Sequence, residues 1–305
     1  MSVGTCLQAQ LANFPASARN MLAAIILAPG FRGVITAQQV NALAAAIPTS
    51  VDNTLLLLVP FAQCYAIPPV SDYPVGVIAQ GSSGNAYFGA NMEYKGTALS
   101  FTVHGEQSAT TNAWLNGEQG LGSIAISAAP CGYCRQFLYE ITTAATLQVL
   151  LVGQPPELLT DLIPQAFGPN DLGVTAALMS PANNGLKLSP PPTDPVVQAA
   201  LAAANASYAP YSKGYAGVAI STASGATYTG RYAENAAFNP SMSPLESALT
   251  MWSFGGNTND AIEKAVLVEA PSLVDQADVT AEVLATVSAA KLQVYEAVAP
   301  PRTAA

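Results

Sequence analysis

The chain has 305 residues, half of them hydrophobic and only 10% charged, with 23 Gly and 23 Pro, which makes it a globular chain with a large core. Ten Lys and Arg against 19 Asp and Glu give a net charge of -9, leaving few cations to track a nucleic-acid backbone. A single histidine, His104, excludes every site that needs two histidines from one chain.

Residues 1–48 read as helical, with an Ala-rich segment at 36–47 opened by Thr36 as N-cap. Apolar runs at 21–28 and 55–59 stop at Pro29 and Pro60, short of the ~20 residues of a membrane span. With no basic secretory start and no lipidation signal, the expected compartment is the cytoplasm, with no membrane partner. Residues 75–79 read as a buried strand, 82–85 as a turn and 86–90 as a returning strand. A helix at 104–115, a buried strand at 123–128 and a helix at 131–142 follow, with Pro130 in the first turn of the last. Strands alternating with helices predict an α/β layered domain. Residues 154–195, rich in Pro, Asn and Gly, read as a linker or covering segment. Beyond it come a helix at 196–207, a strand at 217–220, a turn at 223–225 and a strand at 227–230.

The second stretch repeats the first. At an offset of 141, Ser83 meets Ser224, Gly84 meets Gly225, Tyr87 meets Tyr228, Gly89 meets Gly230 and Glu93 meets Glu234. The copy has no chemistry to match: Ser243-Pro-Leu-Glu-Ser stands where His104 and Glu106 map, and no cysteine follows.

The residues suited to chemistry are Val103-His-Gly-Glu-Gln and, 27 positions after His104, Pro130-Cys-Gly-Tyr-Cys. His104, Cys131 and Cys134 make three nitrogen and sulfur ligands suited to one zinc ion per chain. A helix N-terminus at the cysteine pair favours thiolates, and two thiolates neutralise the cation. A fourth position open to water, with Glu106 as general base, makes the site hydrolytic. The opposing reading closes the site with Cys64 as a fourth ligand, giving an interaction module without catalysis. Otherwise Cys6 and Cys64 are expected to be buried free thiols, and Arg135 a helix-face cation near the thiolates.

His-x-Glu followed by Pro-Cys-x-x-Cys matches the known signature of zinc nucleobase deaminases. Together with Tyr87-Phe-Gly-Ala-Asn-Met-Glu, Ala166-Phe-Gly-Pro-Asn-Asp-Leu, Pro210-Tyr-Ser-Lys and Tyr232-Ala-Glu-Asn-Ala-Ala-Phe-Asn-Pro, it resembles the long, homodimeric cytidine deaminases. Short single-domain members have Cys as first ligand and Arg after the catalytic Glu; His104 and Gln107 side with the long form. The resemblance implies a three-layer αβα deaminase-like domain, duplicated, behind a small N-terminal helical segment. The expected organisation is a helical segment at 1–48, a catalytic domain at 49–153, a linker at 154–195 and a degenerate copy at 196–305.

The resemblance also implies zinc-dependent hydrolysis of cytidine and 2'-deoxycytidine to the uridines with release of ammonia, in pyrimidine salvage. Hydroxide on the metal would attack C4, with Glu106 shuttling the proton. Asn91 and Glu93 would hold the ribose, Tyr73 would stack near the pyrimidine, and Phe167 would reach the partner's base across a homodimer. Three positions depart from the family pattern: Gly105 where Ala is usual, Tyr73 in place of Phe, and Tyr133 at a tolerant position between the cysteines. Deamination of a nucleotide or nucleic acid is the enzyme alternative, and the low cation count weighs against it.

Overall fold

A computed structural model of the chain describes residues 2–255 and 259–299. Its first half runs α1 (Val3–Asn13), α2 (Ala16–Ile26), β1 (Val34–Ile35), α3 (Ala37–Ala46), α4 (Val51–Gln63), β2 (Gly76–Gly81) and β3 (Ala86–Ala90). Then come α5 (Gly105–Leu115), β4 (Leu121–Ile126), α6 (Gly132–Leu138), β5 (Gln148–Leu151), β6 (Glu157–Leu158) and α7 (Leu159–Leu162). The second half runs α8 (Pro195–Asn205), β7 (Ala216–Thr222), β8 (Thr227–Arg231), α9 (Pro244–Phe254), β9 (Ile262–Glu269), α10 (Ala277–Val287) and β10 (Leu292–Glu296).

The first sheet has the order β1-β3-β2-β4-β5-β6 and the second β10-β9-β7-β8. Side chains alternate across the first sheet with the strand period of two. Val77, Ala79, Tyr87, Ile124 and Ile126 join the core around α5 and α6, whereas Ile78, Phe88 and Ala125 join the core around α1 to α4. That is the expected α/β/α layering. The inner core is continuous with Val218, Ile220, Leu245 and Leu267 of the second half, because α5 packs on α9.

Thr36 caps α3 in a full capping box: Gln39 N–H donates to Thr36 Oγ1 at 3.3 Å, and Thr36 N–H donates to Gln39 Oε1 at 2.9 Å. The apolar stretch at 55–59 belongs to α4, which continues through Pro60 because Leu55, Leu58, Val59 and Phe61 are buried against the sheet. No single helix among the described residues is long and apolar enough to cross a membrane; α3 and α4 together have the length but bend by 101°. Helix α6 is shorter than expected. Cys131 is its N-cap, so Pro130 precedes the helix, and beyond Leu138 the backbone pairs with Leu178 instead of continuing.

The two halves share small irregularities as well as topology. Strands β2 and β7 carry the same register shift against β4 and β9, at Gln80/Gly81 and Ser221/Thr222. A Cβ on Gly89 would sit 2.3 Å from Gly105 O and 2.4 Å from Ala109 N; on Gly230 it would sit 2.1 Å from Pro244 O and 2.2 Å from Ala248 N. Only glycine lets strand and helix approach so closely. These contacts align α5 with α9 at an offset of 139, so His104 corresponds to Ser243 and Glu106 to Leu245. On the strand offset of 141, Cys131 and Cys134 correspond to Ser272 and Asp275.

The expectation of free thiols at Cys6 and Cys64 is overturned. They form a disulfide that ties α1 to the C-cap of α4, 58 positions apart in sequence. Helix packing brings the two residues together, which spacing alone does not reveal. Denatured, unreduced protein should therefore expose two reactive thiols, and reduced protein four. Replacing the pair by Ser should lower stability by about 2–4 kcal/mol, read by denaturant titration.

Glu246 is buried at the start of α9, and burial pushes its carboxyl up from 4.5 to about 7. A raised folded-state carboxyl penalises folding wherever the unfolded chain is ionised. Stability should thus fall as pH rises from about 4.5 to about 7, and Glu246→Gln should flatten that slope in denaturation curves at several pH values.

Candidate metal and active site

The site is built where two helix N-termini meet beside the ends of β3 and β4. His104 caps α5 and Cys131 caps α6. Nδ1 of His104 lies 3.6 Å from Cys131 Sγ and 3.3 Å from Cys134 Sγ, and the two sulfurs are 3.6 Å apart. A tetrahedral zinc with ordinary bond lengths needs S···S of about 3.8 Å and S···N of about 3.6 Å. The three donors therefore fit one zinc ion through Nδ1 and two sulfurs. They form the only group of three or more His, Cys, Asp or Glu suited to a metal among the described residues.

Hydrogen bonding with Cys134, then with His104, draws the Cys131 thiol down to about 3. The same bond to Cys131, together with burial, pushes Cys134 up, and His104 is raised by its bond to Cys131. The donors thus share protons that a cation displaces on binding. Arg135 fixes the approach of the cysteine loop: its Nε donates to Pro130 O at 2.9 Å and its Nη1 to Leu162 O at 2.7 Å.

Glu106 lies in the first turn of α5, is 4% exposed, and has its carboxyl raised by burial. It lines a cavity of about 440 Å³ together with His104, Cys131, Asn91, Glu93 and Tyr73. Gly105 lies on the same wall, and a Cβ there would come within 2.7 Å of Val77 Cγ2, so the valine fills the room a methyl would need.

Asn91 is buried and spans the neighbouring loop: its Oδ1 accepts from Val75 N–H at 2.8 Å and its Nδ2 donates to Tyr73 O at 3.0 Å. Glu93 Oε2 accepts from the Val70 and Ser71 amides at 2.8 and 2.9 Å, and Oε1 accepts from the Ser71 hydroxyl. Burial acts to raise Glu93, but these bonds outweigh it and hold the carboxylate below its usual range. The second half repeats this cradle, with Glu234 accepting from the Tyr211 and Ser212 amides and the Ser212 hydroxyl. The cradle by itself is thus a property of the duplicated fold, and Ser71 could have been found from that repeat.

Tyr73 is 59% exposed at the cavity rim. Phe167 is 45% exposed and lies outside the lining of this cavity; its carbonyl accepts from Gln136 Nε2 at 2.7 Å. Cys64, bonded to Cys6, does not join the metal donors. Sequence reasoning singled out Gln107 and Tyr133 only as family-pattern positions, and the structure puts both in contact with His104. Purified protein should hold one zinc per chain by atomic absorption, and His104→Ala, Cys131→Ser and Cys134→Ser should each reduce this well below stoichiometric.

Two segments, residues 49–150 and 159–282, match family models described as the cytidine and deoxycytidylate deaminase zinc-binding region. Over 279 residues the chain is 46% identical to the cytidine deaminases of Yersinia pestis (strain Pestoides F) and Yersinia pseudotuberculosis (serotype O:3, strain YPIII), covering 91% of this chain and 93% of each relative. Among solved structures, cytidine deaminase from Mycobacterium tuberculosis is 29% identical, covers 38% of this chain and 96% of its own, and superposes with a TM-score of 0.35. The chain belongs to the zinc-dependent cytidine and deoxycytidylate deaminase family, in a form with two copies of the zinc-binding-region fold, of which the first carries the metal ligands.

Proposed function

We propose that the protein hydrolyses cytidine and 2'-deoxycytidine to uridine and 2'-deoxyuridine, consuming one water and releasing one ammonia, in pyrimidine salvage. The observation that supports this best is a buried carboxylate, Glu106, beside three zinc donors on the wall of a cavity otherwise rimmed by neutral and acidic groups. When bound, zinc supplies the Lewis acidity that makes water a nucleophile at neutral pH. Glu106 would take one proton from the attacking water and deliver it to N3 as the water oxygen bonds to C4, and would then carry the proton of the resulting C4 hydroxyl to N4, so that ammonia leaves as the C4–N4 bond breaks.

Asn91 and Glu93 hold the ribose from the cavity wall, using the acceptor capacity left by their own loop contacts. Tyr73 covers the rim. Phe167 completes the site of a partner subunit in a homodimer, a role that its exposure and its position outside its own cavity support. No Lys or Arg lines the cavity among the described residues, which favours a neutral nucleoside over a nucleotide or nucleic acid. The domain limits adopted are 49–153 for the catalytic unit and 196–305 for the degenerate one, joined by 154–195 and preceded by 1–48. Salvage of nucleosides places the enzyme in the cytoplasm; the Cys6–Cys64 bond is a feature uncommon in that compartment.

Glu106→Gln should retain zinc while turnover of cytidine, followed by absorbance and by ammonia release, falls about 10²–10⁴-fold. Cytidine should be turned over in preference to dCMP or single-stranded DNA. Full activity of Glu106→Gln would falsify the mechanism, and a preference for dCMP would shift the substrate class.

A further inference from the structure

Tyr133 stands between the two cysteine ligands. Its ring stacks on the His104 imidazole, with centroids 5.1 Å apart and planes at 24°. Its hydroxyl reaches the second half of the molecule and donates to the carbonyl of Asn239 at 2.8 Å. One residue further on, Pro240 O accepts from Gln107 Nε2 at 3.3 Å. The other end of the same amide, Gln107 Oε1, accepts the backbone N–H of His104 at 3.1 Å. Two side chains that touch His104, one on its ring face and one at its main chain, therefore end on adjacent carbonyls of the metal-free half.

Those carbonyls are themselves held in place. Asn235 and Gln136 are joined twice, Nδ2 to Gln136 O at 3.0 Å and Gln136 Nε2 to Oδ1 at 3.3 Å. Ala236 N–H donates to Glu140 Oε2 at 2.9 Å, and Met242 pairs with Ala233 through both backbone groups. The segment is thus tied to α6, the helix that carries the second cysteine ligand, as well as to His104.

With Nδ1 turned to the sulfurs, rotation of the imidazole about its Cβ–Cγ bond decides whether a third donor is in place. A stacked ring restricts that rotation, and an anchored main chain fixes where it starts. Outer contacts of this kind set how well a ligand is prepared for its metal.

We propose that Tyr133 and Gln107 are positioning residues that carry the Asn239–Pro240 segment onto the zinc ligand His104, so that the half without a metal site pre-organises the metal site of the other. The proposal rests on zinc binding at His104, Cys131 and Cys134 and not on which nucleoside is deaminated.

The test uses the full-length zinc protein. Zinc release to a chromogenic chelator is timed, and visible spectra are recorded after substitution with cobalt(II). Tyr133→Leu, which removes both stack and hydroxyl, should weaken zinc retention about 10–100-fold and alter the cobalt bands. Tyr133→Phe keeps the stack and should lose less; Tyr133→Phe combined with Gln107→Met should approach the Leu variant. kcat should fall more than KM rises, because the ribose contacts are untouched. Arg32→Gln serves as control, since it removes the contact of the Arg32 guanidinium with the Tyr228 ring, another link between the halves that touches neither His104 nor the Asn239–Pro240 segment. The proposal is wrong if the Tyr133→Leu and double variants hold zinc like the parent with unchanged cobalt spectra. It is equally wrong if Arg32→Gln releases zinc as fast as they do. Should Tyr133→Leu fail to fold, the Phe/Met double variant decides by the same two readouts. Neither readout needs a nucleoside, so a failed cytidine assay would leave this result standing.

Discussion

The convergence of two helix N-termini governs this structure. His104 and Cys131 are both N-caps, so the residues that open α5 and α6 also supply two of the metal donors, and Cys134 follows in the first turn of α6. The positive ends of both helices face the thiolates, which lowers the cost of holding sulfur anions together before the cation neutralises them. That arrangement depends on the spacing between helix and sheet. At Gly89 the strand passes so close to α5 that any side chain would meet the helix backbone, and this contact sets the height of Glu106 above the sheet.

The duplication separates what the fold needs from what the chemistry needs. Both halves keep the strand order, the displaced residue pair in the central strand, and the close strand–helix glycine. Both also keep the carboxylate that accepts three hydrogen bonds from the preceding loop, Glu93 in one and Glu234 in the other. Where the first half has His104, the second has Ser243, which closes an ordinary capping box with Glu246. A histidine at an N-cap satisfies the helix end poorly, and serine does so well. The second half has exchanged a ligand for a cap, a change that favours the fold at the expense of the metal. Its Leu245, fully buried in place of Glu106, likewise replaces a carboxyl that is costly to bury with an apolar side chain.

Helix α5 shows how the halves depend on one another. It is buried almost throughout although half its residues are polar, and those side chains are bonded outward: Ser108 to Ala90, Asn112 to Gly33 and Phe88, Gln107 to Pro240. A helix with water on one side would need none of these partners. The polar side chains of α5 thus bond to β3, to the turn before β1 and to the segment before α9, and these bonds hold the helix that carries Glu106 between two sheets.

Much of the site was legible in the amino-acid order. His104, Glu106, Cys131 and Cys134 are short-range motif residues whose spacing a helix N-terminus imposes, and the repeat at 141 is visible because turns and close-packed glycines tolerate few substitutes. Thr36 as a cap is equally local. What depended on distant contacts was not legible. Helix α4 runs through Pro60 because burial against the sheet outweighs one lost hydrogen bond, and α6 ends early because its continuation pairs with Leu178. Cys6 meets Cys64 only once α1 lies along α4. Tyr133, unremarkable between its cysteines, stacks on His104 within the first half and gains its second partner, the Asn239 carbonyl, only when the second half packs on the first. Sequence by itself determined which side chains are suited to zinc and which carboxyl stands beside them, since those follow from side-chain chemistry at helical spacing. Tertiary structure alone decided what ties those atoms to the second half, since the Tyr133–Asn239 and Gln107–Pro240 contacts join residues more than a hundred positions apart.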